Sequence, residues 1–125
     1  AKIQHYCDLR TYSHDVGKST ISAYGDLIDK NITYLNTRKQ NGLETKEKIM
    51  MLLGAHLLGG NDQQVEWAVS AAMYAGISEQ QMEDAMEMAL LTSGGRAVSN
   101  VQFALAVREF NDKNGVKTGR FQFQV

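Results

Sequence analysis

Apolar residues recur every three or four positions along most of the chain, which is the period of helices buried on one face. From about Asp15 to Arg38, Ile21, Tyr24, Ile28, Ile32 and Leu35 form such a stripe, with Leu27 and Tyr34 broadening it, and Asn41-Gly42 ends the segment. A second helix is predicted from about Thr45 to Leu58. It is apolar almost all round, which places it at the centre of the fold or in a subunit interface. Gly59-Gly60 stops it, and Asn61 or Asp62 caps a third helix, running to about Ala75, by accepting an unpaired backbone N–H. Ala68, Ser70, Ala71, Ala72 and Ala75 make that third helix small enough for close packing.

Gly76 stands where a left-handed C-terminal cap belongs, and Ser78-Glu79-Gln80-Gln81 has the form of a capping box opening a fourth helix. Met82, Ala85, Met86, Ala89 and Leu90 give it a one-faced stripe, with Glu79, Glu83, Asp84 and Glu87 facing water. Thr92-Ser93-Gly94-Gly95 breaks it. A last helix, about Arg96 to Asn111, bears Val98, Val101, Leu105 and Val107 to Phe110 and ends before Gly115. The expected fold is all-α, a compact helical-hairpin domain of about five helices. Phe121-Gln122-Phe123-Gln124-Val125 alternates at a strand period without a partner strand. It reads as a frayed tail; the alternative docks both phenylalanines on a neighbouring subunit.

Composition narrows the class. A length of 125 residues, 43% hydrophobic and 22% charged, fits one globular domain. The formal net charge of −1 gives no global electrostatic case for nucleic acid or an anionic membrane surface as partner. The single cysteine, Cys7, excludes an intrachain disulfide, a Cys-x-x-Cys pair and a thiolate-rich zinc site, and suits a cytoplasmic protein. Ala1 to Tyr6 lacks the apolar stretch of a signal peptide. The longest apolar run, Ile49 to Leu58, is about half the ~20 residues that span a bilayer.

The stretch from Leu43 to Phe110 resembles the carboxymuconolactone decarboxylase / alkylhydroperoxidase D-like family. The likeness rests on Leu43 with Lys46-Glu47-Lys48 ahead of an apolar helix, then Ala71-Ala72-Met73-Tyr74-Ala75-Gly76-Ile77-Ser78 leading into Gln81-Met82-Glu83-Asp84-Ala85. Gly94-Gly95-Arg96-Ala97 falls where the family has a glycine pair, a proline and an alanine, with arginine in the proline's place. The resemblance implies an all-α fold and assembly into homotrimers or homohexamers, which suits a helix as apolar as Ile49–Leu58.

The chemistry of that family is not carried over with the pattern. Its peroxidase-type members bear Cys-x-x-Cys-x-x-x-His at the start of the third helix; those positions fall here on Asn61, Gln64 and Ala68, which supply neither thiolate nor imidazole. Its decarboxylase-type members keep histidines at the position of Ala68 and near Met88, both apolar here. Thiol peroxidase activity is not expected, and no cofactor or metal is implied. His5, Cys7 and His14 fit no standard metal spacing, and Gly17-Lys18-Ser19 lacks the upstream glycine of a phosphate loop.

The polar residues left as pocket candidates are Glu47, His56, Asn61 and Gln64. Each has a structural alternative: Glu47 against the helix dipole, His56 packed within an apolar helix, Asn61 as a cap, Gln64 (and Glu66 beside it) as plain surface. Trp67 and Tyr74, seven apart on one helix face, read as a subunit contact, and the six methionines, Met50, Met51, Met73, Met82 and Met86 among them, as core filler. Two function classes stay open: an enzyme or binder of a small carboxylate or cyclic metabolite, and a catalytically inactive oligomeric structural or interaction protein.

Overall fold

In the computed structural model the residues described are 2–12, 20–116, 120, 121 and 123, with the side chains of 10–12 left aside. His14 and Gly17-Lys18-Ser19 lie outside them, as does the start of the first predicted helix. Helix starts are made locally. Helix α3 (Thr45–Gly59) follows Glu44, whose backbone N–H donates to Glu47 Oε1 at 2.9 Å. Helix α4 (Asp62–Tyr74) is opened by Asn61 and Gln64, each side chain accepting the other's backbone N–H at 2.9 and 3.1 Å. Helix α5 (Glu79–Ser93) repeats the arrangement with Ser78 and Gln81.

Helix α4 leaves through Gly76, where φ is +78°, and the Ile77 N–H reaches back to the Ala72 carbonyl while Gly76 N–H reaches Met73. A side chain there would strain the left-handed turn. Before these three helices stand α1 (Lys2–Tyr12) and α2 (Ser22–Asn36); after them come a 3₁₀ turn (Gly94–Ala97) and α6 (Val98–Asn114). No strand occurs among the described residues. No helix among them is long and apolar enough to cross a membrane.

The all-α expectation holds, with five predicted helices matching α2 to α6 and α1 in addition. Helices α3 and α4 form the centre: α3 packs on α5, α4 on α6, and α1 lies against α4. Ile49, Leu53 and Leu57 of α3 and Val65, Val69 and Ala72 of α4 are fully buried, as the apolar and small-residue patterns require. Lys48 ties α2 to this centre. Its ammonium lies 3.9 Å from the Tyr34 ring centroid and donates to the carbonyls of Tyr34 and Thr37 at the end of α2, where a cation meets unpaired carbonyls and the negative pole of the helix.

Four expectations need correction. The stripe of α2 is not buried on one face: Ile21, Leu27 and Tyr34 are each more than half exposed and Gly25 is the helix's buried residue, because α2 meets the rest of the described chain chiefly at α3. The inward face of α6 is Ala104, Val107 and Asn111, whereas Val98 and Leu105 are exposed. Ala104, Val107 and Asn111, at i, i+3 and i+7, share the face that packing on α4 turns inward, and Val98 and Leu105 fall outside it. Met51 and Met88 are exposed and do not fill the core. Of the tail read as frayed, Phe121 and Phe123 are each 6% exposed and pack on the chain's own α4, whereas Gln122, Gln124 and Val125 lie outside the described residues.

Candidate functional site

Two sites stand out, on opposite sides of the central helix pair. The first is a groove of about 430 Å³ between α3 and α5. Its walls are Leu43, Met50, Met51, Gly54 and Leu58 from the α3 side and Ala85, Met88 and Ala89 from α5; Glu47, Gln81, Asp84 and Thr92 supply the polar lining. Met51 and Met88 are more exposed than the lining leucines, Leu43 and Leu58. The α3 pattern, apolar all round, explains the geometry: one side faces the core and the other is left open among the described residues.

The four candidates from the sequence do not meet in this groove. Glu47 lines it, with one carboxylate oxygen taken by the Glu44 N–H. Asn61 and Gln64 are engaged with each other at the head of α4. His56 is partly buried near the end of α3, where its carbonyl accepts the Gly60 N–H and lies near the Asn100 amide. Asn100, on α6, donates to the carbonyls of Leu57 and Gly60 at 3.1 Å and so closes the end of α3.

The second site is a buried polar cluster that the sequence reading missed. Glu66 on α4 is 0% exposed and Arg120 is 5% exposed. The guanidinium grips the carboxylate with two parallel bonds, Nη1 to Oε1 and Nη2 to Oε2, both 2.6 Å. The Ser70 hydroxyl, one turn along α4, donates to Glu66 Oε2 at 2.7 Å and accepts from Asn111 Nδ2 at 2.9 Å. Cys7 of α1 joins them: its thiol lies 3.5 Å from Glu66 Oε2, and Arg120 Nη2 points at its sulfur at the same distance. Chemically this is a closed network, with opposite charges paired and donors matched to acceptors.

Aromatic rings seal its edge. Phe121 stacks on Tyr74 with centroids 5.1 Å apart and tilts against Trp67 at 5.9 Å, while Phe123 meets Tyr74 edge-on at 5.4 Å. The surface reading of Glu66 does not hold, and Trp67 and Tyr74, partly buried, make intrachain ring contacts with the phenylalanines. A signal was present: an acid four residues before Ser70, inside a stripe of small buried residues, needs a cation. Cys7 and Asn111 also line a cavity of about 280 Å³ beside the network. Among the described residues no three His, Cys, Asp or Glu side chains converge to hold a metal ion. Comparison of the chain with protein-family models, with curated proteins and with solved structures finds no match.

Proposed function

We propose that this chain is a carboxymuconolactone decarboxylase-like helical-hairpin protein of the cytoplasm that works by association, assembling with its own copies as a homotrimer or homohexamer, and not by catalysis. The observation that supports this is the α3/α5 face, on which Leu43, Met51, Leu58 and Met88 are all exposed. Clustered apolar side chains of this size favour contact with another protein surface. Among the described residues the groove is lined by two carboxylates and by no cationic, imidazole or thiol side chain with which to activate a substrate or hold a carboxylate.

Size-exclusion chromatography with light scattering tests the assembly: the mass should be a multiple of 13.9 kDa, and Met51→Asp should lower it. A wild-type monomer across micromolar concentrations would refute this reading. The groove volume of about 430 Å³ favours a second one, a small-molecule site. Glu47 and Asp84 in its lining suit a neutral or cationic cyclic compound better than an anion. A thermal-shift screen of such compounds checks it, with Met88→Trp expected to fill the groove and cancel any shift.

A further inference from the structure

Arg120, Phe121 and Phe123, the strap, rest on a seat that α4 and α6 build without them. Glu66 is aimed by the Ser70 hydroxyl, which Asn111 holds in turn, and the Trp67 and Tyr74 rings rise from the same helix. What the strap adds is one guanidinium and two phenyl rings. It is joined to α6 through Gly115, whose φ of +79° lets the chain turn off the helix in a conformation that other residues disfavour.

An empty seat is a costly state. It would leave the Glu66 carboxylate, 0% exposed, without its cation. The seat therefore stays occupied by an arginine flanked by aromatic residues. When the chain's own strap lifts away, the group of matching chemistry is the strap of a second copy. We propose that the strap is exchangeable, and that the α4 seat of one copy accepts Arg120, Phe121 and Phe123 of another, so that each Glu66 is completed by its neighbour's arginine. This is a swapped contact, separate from the α3/α5 face and independent of what that face binds. A tethered strap competes at an effective concentration in the millimolar range, so exchange emerges near that concentration or when the tethered strap is weakened.

Cys7 and Trp67, the single thiol and the single tryptophan, both lie against the strap and report on the seat. The test uses full-length Arg120→Ala protein, alkylated with iodoacetamide with and without a synthetic peptide of residues 118–125 at millimolar concentration. Cys7 should be modified about tenfold faster than in the wild type, because local opening governs access to a buried thiol. The peptide should return the rate towards the wild-type value and shift the Trp67 emission. A control peptide carrying Arg120→Ala should do neither. A wild-type peptide without effect, or a control peptide equally protective, would overturn the proposal. Should Arg120→Ala fail to fold, Phe123→Ala keeps the arginine and removes one ring; peptide protection of Cys7 in that variant supports exchange, and its absence overturns it.

Discussion

The two faces of the central helix pair are built from similar material and finished in different ways. On α4, small and apolar residues carry one buried acid, and the chain supplies an arginine, a hydroxyl, an amide and two aromatic rings to cover it. On α3 and α5, leucines and methionines of comparable bulk stay open, with Met51 and Met88 more exposed than buried. The covered face needs many partners because a buried charge tolerates no gap in its hydrogen bonding. The open face has no such demand, since an exposed methionine costs little until something displaces the water beside it. Structure is concentrated where polarity is buried, and room for a partner remains where it is not.

Breaking the covered face should have the largest consequence. Arg120→Ala leaves Glu66 charged and alone, and should cost about 3–5 kcal/mol in chemical denaturation, whereas the joint replacement Glu66→Leu with Arg120→Met should recover much of that loss. A single-variant cost below about 1 kcal/mol, the scale of an exposed pair, would show that the network contributes as surface ion pairs do. Phe121→Ala should come next, at about 2–4 kcal/mol, with a change in the emission of Trp67 that Arg120→Lys does not reproduce.

The open face should answer in the opposite manner. Met51→Asp and Met88→Asp should each alter folding stability by less than about 0.5 kcal/mol while lowering the mass in solution. Loss of stability equal to that of Phe121→Ala would erase the contrast between the faces. The smallest effect belongs to the edge of the covered side, where Lys2 donates to Asp62 across α1 and α4. That hydrogen bond raises the lysine above its ordinary 10.5. The contribution is therefore complete below 10.5 and disappears as pH climbs through the raised value. Because the pair is exposed, thermal melts of the wild type and Lys2→Met should differ slightly at neutral pH and converge at strongly alkaline pH.

Helices α3, α4 and α5 were legible from their apolar patterns and the glycines between them, with Asn61 and the Ser78–Gln81 box marking two of the starts, while the Glu44–Glu47 box shows only in the structure. The open groove was foreshadowed in part by a helix with no polar side. Helix α1 was not legible, since Lys2 to Tyr12 carries no continuous apolar stripe; Cys7 is buried only because α4 and Arg120 come to it. Glu66 and Arg120 stand 54 residues apart, so no local pattern joins them. Phe121 and Phe123 suggested a strand by their alternation, yet what places them is stacking on Tyr74, a tertiary contact that periodicity does not encode. Of the pocket candidates, Asn61 was visible as a cap from sequence, Gln64 was read as surface and is instead the other half of that capping box, and the residues surrounding Glu47 became a groove only once α5 lay beside α3.

The capping boxes at Glu44, Asn61 and Ser78 recur at equal intervals along the chain, each decided by its own four residues. That spacing has a kinetic consequence. Three consecutive helices can nucleate independently and collapse onto neighbours close in sequence, which favours rapid folding. The Glu66–Arg120 closure, 54 residues across, carries the entropy of a long loop and belongs after the main barrier. Stopped-flow chevrons should accordingly show Arg120→Ala steepening the escape from the native state, with its φ-value near zero, while Asn61→Ala slows the approach to it.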